Sequence, residues 1–161
     1  TGGSRDGLVT ANTKVFNNII VDPEVAAIVY WVWGDSVLPV NVESHHFDHN
    51  LYFDADPVVI YPGNLHWSLG DFQLNRGEGL NSLYGDPLFT RPATHDYSLR
   101  ISSPAFDAGA SVPDVTEDFA GQSRPLDLGH EIGAYECPAD SGCRRARRGA
   151  SSARRTPDRV P

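Results

Sequence analysis

Thirty-two residues separate two copies of one short pattern. Asn17-Asn18-Ile19-Ile20-Val21-Asp22 returns as His49-Asn50-Leu51-Tyr52-Phe53-Asp54, so that Asn, three apolar residues and Asp coincide. The apolar runs that follow, Val25 to Tyr30 and Pro57 to Tyr61, both end in Tyr, one residue out of step. A period of this size belongs to units that stack, because each alone cannot cover its own apolar face. The rows are rich in Val, Ile, Tyr and Phe, and the Asp-Pro and Asp-Ala-Asp steps between them are turn chemistry. Strands are therefore expected, and the 15 Gly and 12 Pro of the chain argue against long helices. Stacking at the interstrand spacing of about 4.8 Å would set Asn18 against Asn50 in a side-chain amide ladder. Two unrelated hairpins sharing a turn motif are the alternative, and they would leave those two residues apart.

Charge divides sharply along the chain. Before residue 137 there are six basic and 19 acidic residues, a formal charge of −13, and Lys14 is the only Lys. Such a surface repels nucleic acid and anionic membranes, and suits divalent cations or uncharged partners. Residues 137–161 carry seven Arg against two Asp and few apolar residues, so this tail is expected to be disordered. No stretch approaches the roughly 20 apolar residues needed to span a bilayer. The chain opens on Thr-Gly-Gly rather than Met, and the expectation is that its true start lies upstream. Cys137 and Cys143 could close a small loop.

From Asn81 the text reads Asn-Ser-Leu-Tyr-Gly-Asp-Pro-Leu-Phe, then Asp96-Tyr97-Ser98-Leu99-Arg100 and Ser103-Pro104-Ala105-Phe106-Asp107-Ala108-Gly109. It closes with Asp118-Phe119-Ala120-Gly121-Gln122-Ser123-Arg124-Pro125 and Glu131-Ile132-Gly133-Ala134-Tyr135-Glu136. This succession resembles the closing segment of bacterial secreted right-handed parallel β-helix proteins, polysaccharide-lyase-like or anchored at the cell surface. The likeness covers roughly residues 8–136, and departs from the family where Glu131 stands in place of Asp. The resemblance implies an all-β solenoid: about two terminal coils plus a closing segment over residues 1–136, preceded by further coils of the parent chain. Leu88, Phe89, Leu99, Ile101, Phe106, Ile132 and Tyr135 suit packing across or along the open end, which must be covered to prevent edge-to-edge aggregation. Asp107, Asp118, Arg124 and Asp127 suit bracing of turns, and Gly109, Gly121 and Gly133 suit close approaches or positive φ.

Several constellations could carry chemistry. Trp31 and Trp33 are two apart and share one face of a strand, so they could offer a platform for sugar rings or be folded into a satellite core. Asp22, Asp54 and Asp56, with Glu24, form an acidic ridge across the two coils. Calcium takes oxygen ligands from such ridges, and lyases of the resembled family use it on acidic sugars. His45, His46, Asp48 and His49 do not match a zinc pattern and read as turn residues. Lyase chemistry needs a base beside a charge neutraliser, and Lys14 has no evident partner, so no catalytic residue is assigned. The resemblance thus implies an extracellular or cell-surface protein directed at polysaccharide. It would be a lyase or hydrolase whose groove lies mostly on upstream coils, or else a non-catalytic adhesive β-helix.

Overall fold

The computed structural model describes residues 12–29, 45–61, 64–126 and 128–137. They form mostly β structure in parallel and mixed sheets, with one α-helix. A first row consists of β1 (Lys14–Phe16), β2 (Ile19–Val21) and β3 (Ile28–Val29), and a second of β4 (His46–Asp48), β5 (Leu51–Phe53) and β6 (Val59–Tyr61). Each strand of the first row pairs in parallel with its counterpart in the second. Lys14 lies opposite His46, Ile19 opposite Leu51 and Ile28 opposite Val59. The first two registers are steps of 32 residues and the third is a step of 31, so the offset visible in the sequence is absorbed between Asp54 and β6.

A third step was not evident from the repeat. β8 (Leu83–Tyr84) runs parallel to β5, with Leu51 opposite Leu83 and Tyr52 opposite Tyr84. The two complete rows share a backbone signature: Asn17 and His49 (φ 58° and 51°) precede β2 and β5, and Asp22 and Asp54 (φ 46° and 49°) follow them. Short polar side chains tolerate this left-handed region far better than β-branched ones, which is why Asn and Asp punctuate the apolar triplets.

The asparagine ladder joins all three levels. The Asn18 backbone N–H and Nδ2 both donate to Asn50 Oδ1, at 3.0 and 3.2 Å, and the Asn50 N–H donates to Ser82 Oγ at 3.1 Å. Asn50 is fully buried and its Nδ2 also donates to the Val15 carbonyl at 2.8 Å. Asn50→Ala would leave the Asn18 N–H and the Val15 carbonyl without their side-chain partner, while the backbone bond to Ser82 Oγ would remain. A loss of about 2–3 kcal/mol is expected from chemical denaturation, against under about 1 kcal/mol for Asn18→Ala at the exposed end.

Alternation along the strands makes two apolar layers. Ile20 and Tyr52 face inward with Ile28, Val58, Val59 and Phe47. Ile19, Leu51 and Leu83 face the other way. Each fully buried side chain of this size contributes about 1.5–3 kcal/mol, so neither face can be left to water. The inner layer is closed by a helix. β7 (Leu65–Trp67) turns back antiparallel to β6, and α1 (Leu69–Arg76) follows. Ser68 and Asp71 form a capping box, and Gly77 in the left-handed region ends the helix. Phe72 and Leu69 drop into the inner layer, where the Phe72 ring meets Phe47 edge-on at 6.4 Å.

The outer layer is covered by the closing segment, residues 88–136. Its hairpin, β9 (Phe89–Arg91) and β10 (Asp96–Leu99), is joined by a 3-10 turn at Pro92–Thr94. Leu99, Ala105 and Ile132 are buried on Ile19, Leu51 and Leu83, with Phe89 and Ala108 beside them. Of the two expected placements, across or along the open end, the described contacts run along the flank of the strands. Because β2, β5 and β8 carry apolar residues on both faces, the closing segment is drawn to their flank, and α1 fills the inner layer instead. The segment climbs back to the first row: the Gly133 N–H donates to the Asn17 carbonyl at 2.9 Å, and the Asn17 amide exchanges two 2.8 Å bonds with the backbone of Ala110. The approach is close enough that a Cβ at Gly133 would lie 2.9 Å from Ile19 Cδ1, and one at Gly109 only 2.6 Å from the Glu131 carbonyl oxygen. No helix among the described residues is long and apolar enough to cross a membrane.

Candidate functional site

Where the closing segment meets the first row, it leaves a cleft of about 680 Å³. One wall is the turn and strand Asn17, Asn18, Ile19 and Val21. The opposite wall is aromatic: Phe89, His95 and Tyr97 from the hairpin, Phe119 and Tyr135 from the later turns. The rings brace one another edge-on, Phe89 with Tyr97 at 5.3 Å and Phe119 with Tyr135 at 5.7 Å. Among the described residues, no Lys, Arg, Asp or Glu lines this cleft. Tyr97 is 43% exposed and Phe119 80%, so both present ring surface to an incoming molecule.

A second cleft of about 730 Å³ adjoins the first and shares Asn17, Phe119, Gly133 and Ala134 with it. Lys14, Phe16, Val112, Val115 and Glu117 line its far part. Phe119 therefore stands between two hollows of a single groove on the flank of the parallel rows.

Phe119 is held by a polar lock beneath it. Its N–H donates to the Ala134 carbonyl at 2.8 Å. Asp118 accepts the N–H groups of Ala120 and Gln122 on Oδ1 and of Glu136 on Oδ2, all at 2.8 Å. The buried Glu136 carboxylate accepts from the Leu126 and Glu131 N–H groups at 3.1 and 3.3 Å and lies 3.5 Å from Arg124 Nε. Arg124 in turn donates Nη2 to the Gly133 carbonyl at 2.6 Å. Asp107 braces a neighbouring turn through the Gly129 N–H. Glu131, the departure from the resembled family, is buried against Glu136. Desolvation, together with the hydrogen bond to Glu136 and its charge, pushes the Glu131 carboxyl up to about 9.

The residues singled out from the sequence fare differently. Trp31 and Trp33 lie outside the described residues, as do Asp127 and the Arg-rich tail from 138 onward. Asp22, Asp54 and Asp56 are exposed, Asp22 and Asp54 at equivalent turn positions of the two rows. Among the described residues, no group of three or more His, Cys, Asp or Glu side chains is gathered in a metal-holding arrangement. His46 meets Glu78 at 3.3 Å, and Asp48 takes both the side chain and the N–H of Asn81 at 2.8 Å, so this cluster ties the second row to the third level. Burial would raise the Asp48 carboxyl, but these bonds and His49 outweigh it and hold the group below its usual range. Lys14 lines the second cleft.

The aromatic wall escaped sequence reasoning. Tyr97, Phe119 and Tyr135 sit in motifs that read as structural, and only their shared polar, turn-rich surroundings hinted that the rings were not needed for the core. Comparison of the chain with protein-family models, with curated proteins and with solved structures finds no match.

Proposed function

We propose that this chain is the terminal part of an extracellular, carbohydrate-directed right-handed parallel β-helix, and that the flank groove is where it meets glycan. The observation that carries this reading is the cleft lined by the rings of Phe89, Tyr97, Phe119 and Tyr135 together with Asn17 and Asn18. Sugar rings offer apolar C–H faces to aromatic rings, and a mostly apolar concavity with few polar groups is the usual form of a ligand site. The solenoid is supported by three parallel pairings at steps of 31 or 32 residues, and right-handed crossovers are the strong rule for parallel strands. Further coils upstream are supported by Asn18, whose side-chain oxygen accepts no bond from a described residue, whereas Asn50 Oδ1 accepts two and Ser82 Oγ one from the row before. Cys137 is disulfide-bonded, a state that persists in oxidising compartments.

Among the described residues that line it, the aromatic cleft has His95 but no carboxylate or lysine to pair with it, an arrangement that suits binding better than catalysis at this end. Lyase or hydrolase chemistry, with any calcium on the Asp22, Asp54 and Asp56 ridge, would belong to the parent polypeptide; a non-catalytic adhesive surface is the second reading. Affinity electrophoresis of the full chain through gels containing soluble polysaccharides should show retardation by at least one of them. Unretarded migration through the whole panel, with and without calcium, would end the carbohydrate reading.

A further inference from the structure

Resting on that reading, we infer that the groove takes an extended uncharged glycan laid across Phe119, with one subsite in the aromatic cleft and the next in the adjoining hollow. Charge selects the occupant. Among the described residues, no Lys, Arg, Asp or Glu side chain lines the aromatic cleft. In the adjoining hollow Arg124 is already committed to Glu136 and the Gly133 carbonyl, and Asp118 to three backbone N–H groups. That leaves Lys14 and Glu117, which balance. The chain before residue 137 carries a formal −13, so a polyuronate would be repelled there and meet no cluster of cations among the described residues that line the groove. A neutral chain meets neither penalty.

Presentation of Phe119 points the same way. A ring 80% exposed to water is an unfavourable thing to keep, yet its backbone is fixed to Ala134 and its neighbour Asp118 is tied at three points. Rigid aromatic anchors bind with little further loss of freedom, which suits weak, repetitive contacts with a sugar face. Phe119 lines both hollows, so one ring can serve successive sugar units.

The test is calorimetric titration of the full chain with uncharged hexasaccharides (gluco-, xylo- and galacto-configured) and with a hexagalacturonate. At least one neutral hexamer is expected to bind about tenfold or more tightly than the uronate. Phe119→Ala should weaken it by about tenfold while leaving the melting temperature in place, and Phe119→Trp should retain it. Tighter binding of the uronate would overturn the neutral assignment while leaving the carbohydrate reading intact. Neutral binding indifferent to both Phe119→Ala and Tyr97→Ala would place the contact elsewhere and sink this inference alone. If no hexamer or polymer binds, and Phe119→Ala instead abolishes self-association, the groove docks a second copy of the chain and both readings fall.

Discussion

Glu136→Ala is expected to destabilise the protein by about 3–5 kcal/mol, the usual result of removing one partner from a buried ion pair. The side chain is completely enclosed, and that of Arg124 is only 7% exposed. Truncation would strand the guanidinium without its counterion and leave the Leu126 and Glu131 N–H groups without an acceptor. For a folded unit of this size the midpoint of a thermal melt should fall by roughly 10 °C. Arg91→Ala is the natural control. The Arg91 and Asp96 pair is closer, at 3.1 Å against 3.5 Å, but Arg91 is 74% exposed, and a cost below about 1 kcal/mol is expected. Equal effects from the two substitutions would mean that the Arg124 and Glu136 pair is as well hydrated as the surface one.

The second large effect is one of pH. In the unfolded chain Glu131 ionises near 4.5, whereas in the fold it does so near 9. Desolvation is the main cause, followed by the hydrogen bond and charge of Glu136; Asp107 adds a smaller repulsion. The folded state therefore holds the proton more tightly. The associated stabilisation is complete below about 4.5 and is withdrawn as pH rises towards 9. Glu131→Gln keeps a hydrogen-bond donor for Glu136 and cannot ionise. Wild type and variant should be of similar stability near pH 5, and the variant should pull ahead by up to about 1.4 kcal/mol per pH unit between there and pH 9. Urea unfolding at a series of pH values checks this. Parallel profiles for the two proteins would mean that Glu131 is ionised in the fold, with Arg124 serving both carboxylates.

The parallel rows were legible because their determinants are local. An Asn or His that accepts positive φ, a ladder Asn, three apolar residues and an Asp that accepts positive φ again are consecutive, and 32 residues later the same sterics demand the same types. The third level was missed since Ser82 replaces Asn and Gly85 interrupts the triplet. Leu83-Tyr84 followed by Asp86 nonetheless repeats Leu51-Tyr52 and Asp54 at the same spacing, a signal available to a closer reading. Likewise Ser68 and Asp71 announce a helix start, with Gly77 as its stop, but eight residues between strands give too weak a periodicity to stand out. The groove is different in kind. Its walls come from residues near 18, 95, 119 and 135, and nothing in any one stretch says that the closing segment returns along the flank to Asn17. That outcome depends on Ile19, Leu51 and Leu83 forming a second apolar face once the strands are aligned. The buried acid pair is equally non-local in cause, because Glu131 and Glu136 are close in sequence while Arg124 and Asp107 reach them from other turns.

The left-handed residues that bracket β2 and β5 have a consequence for how such a chain can vary. From Asn17 to Asp22 and from His49 to Asp54 the count is identical, so these stretches act as rigid corner pieces of matched length. Beyond them the tally changes, from Asp22 to Ile28 in one row and from Asp54 to Val59 in the next, one residue fewer, yet the following strands still align. Slack is thus confined to the side after each corner. Insertions and deletions accumulated over evolution should gather there, leaving the corner itself untouched.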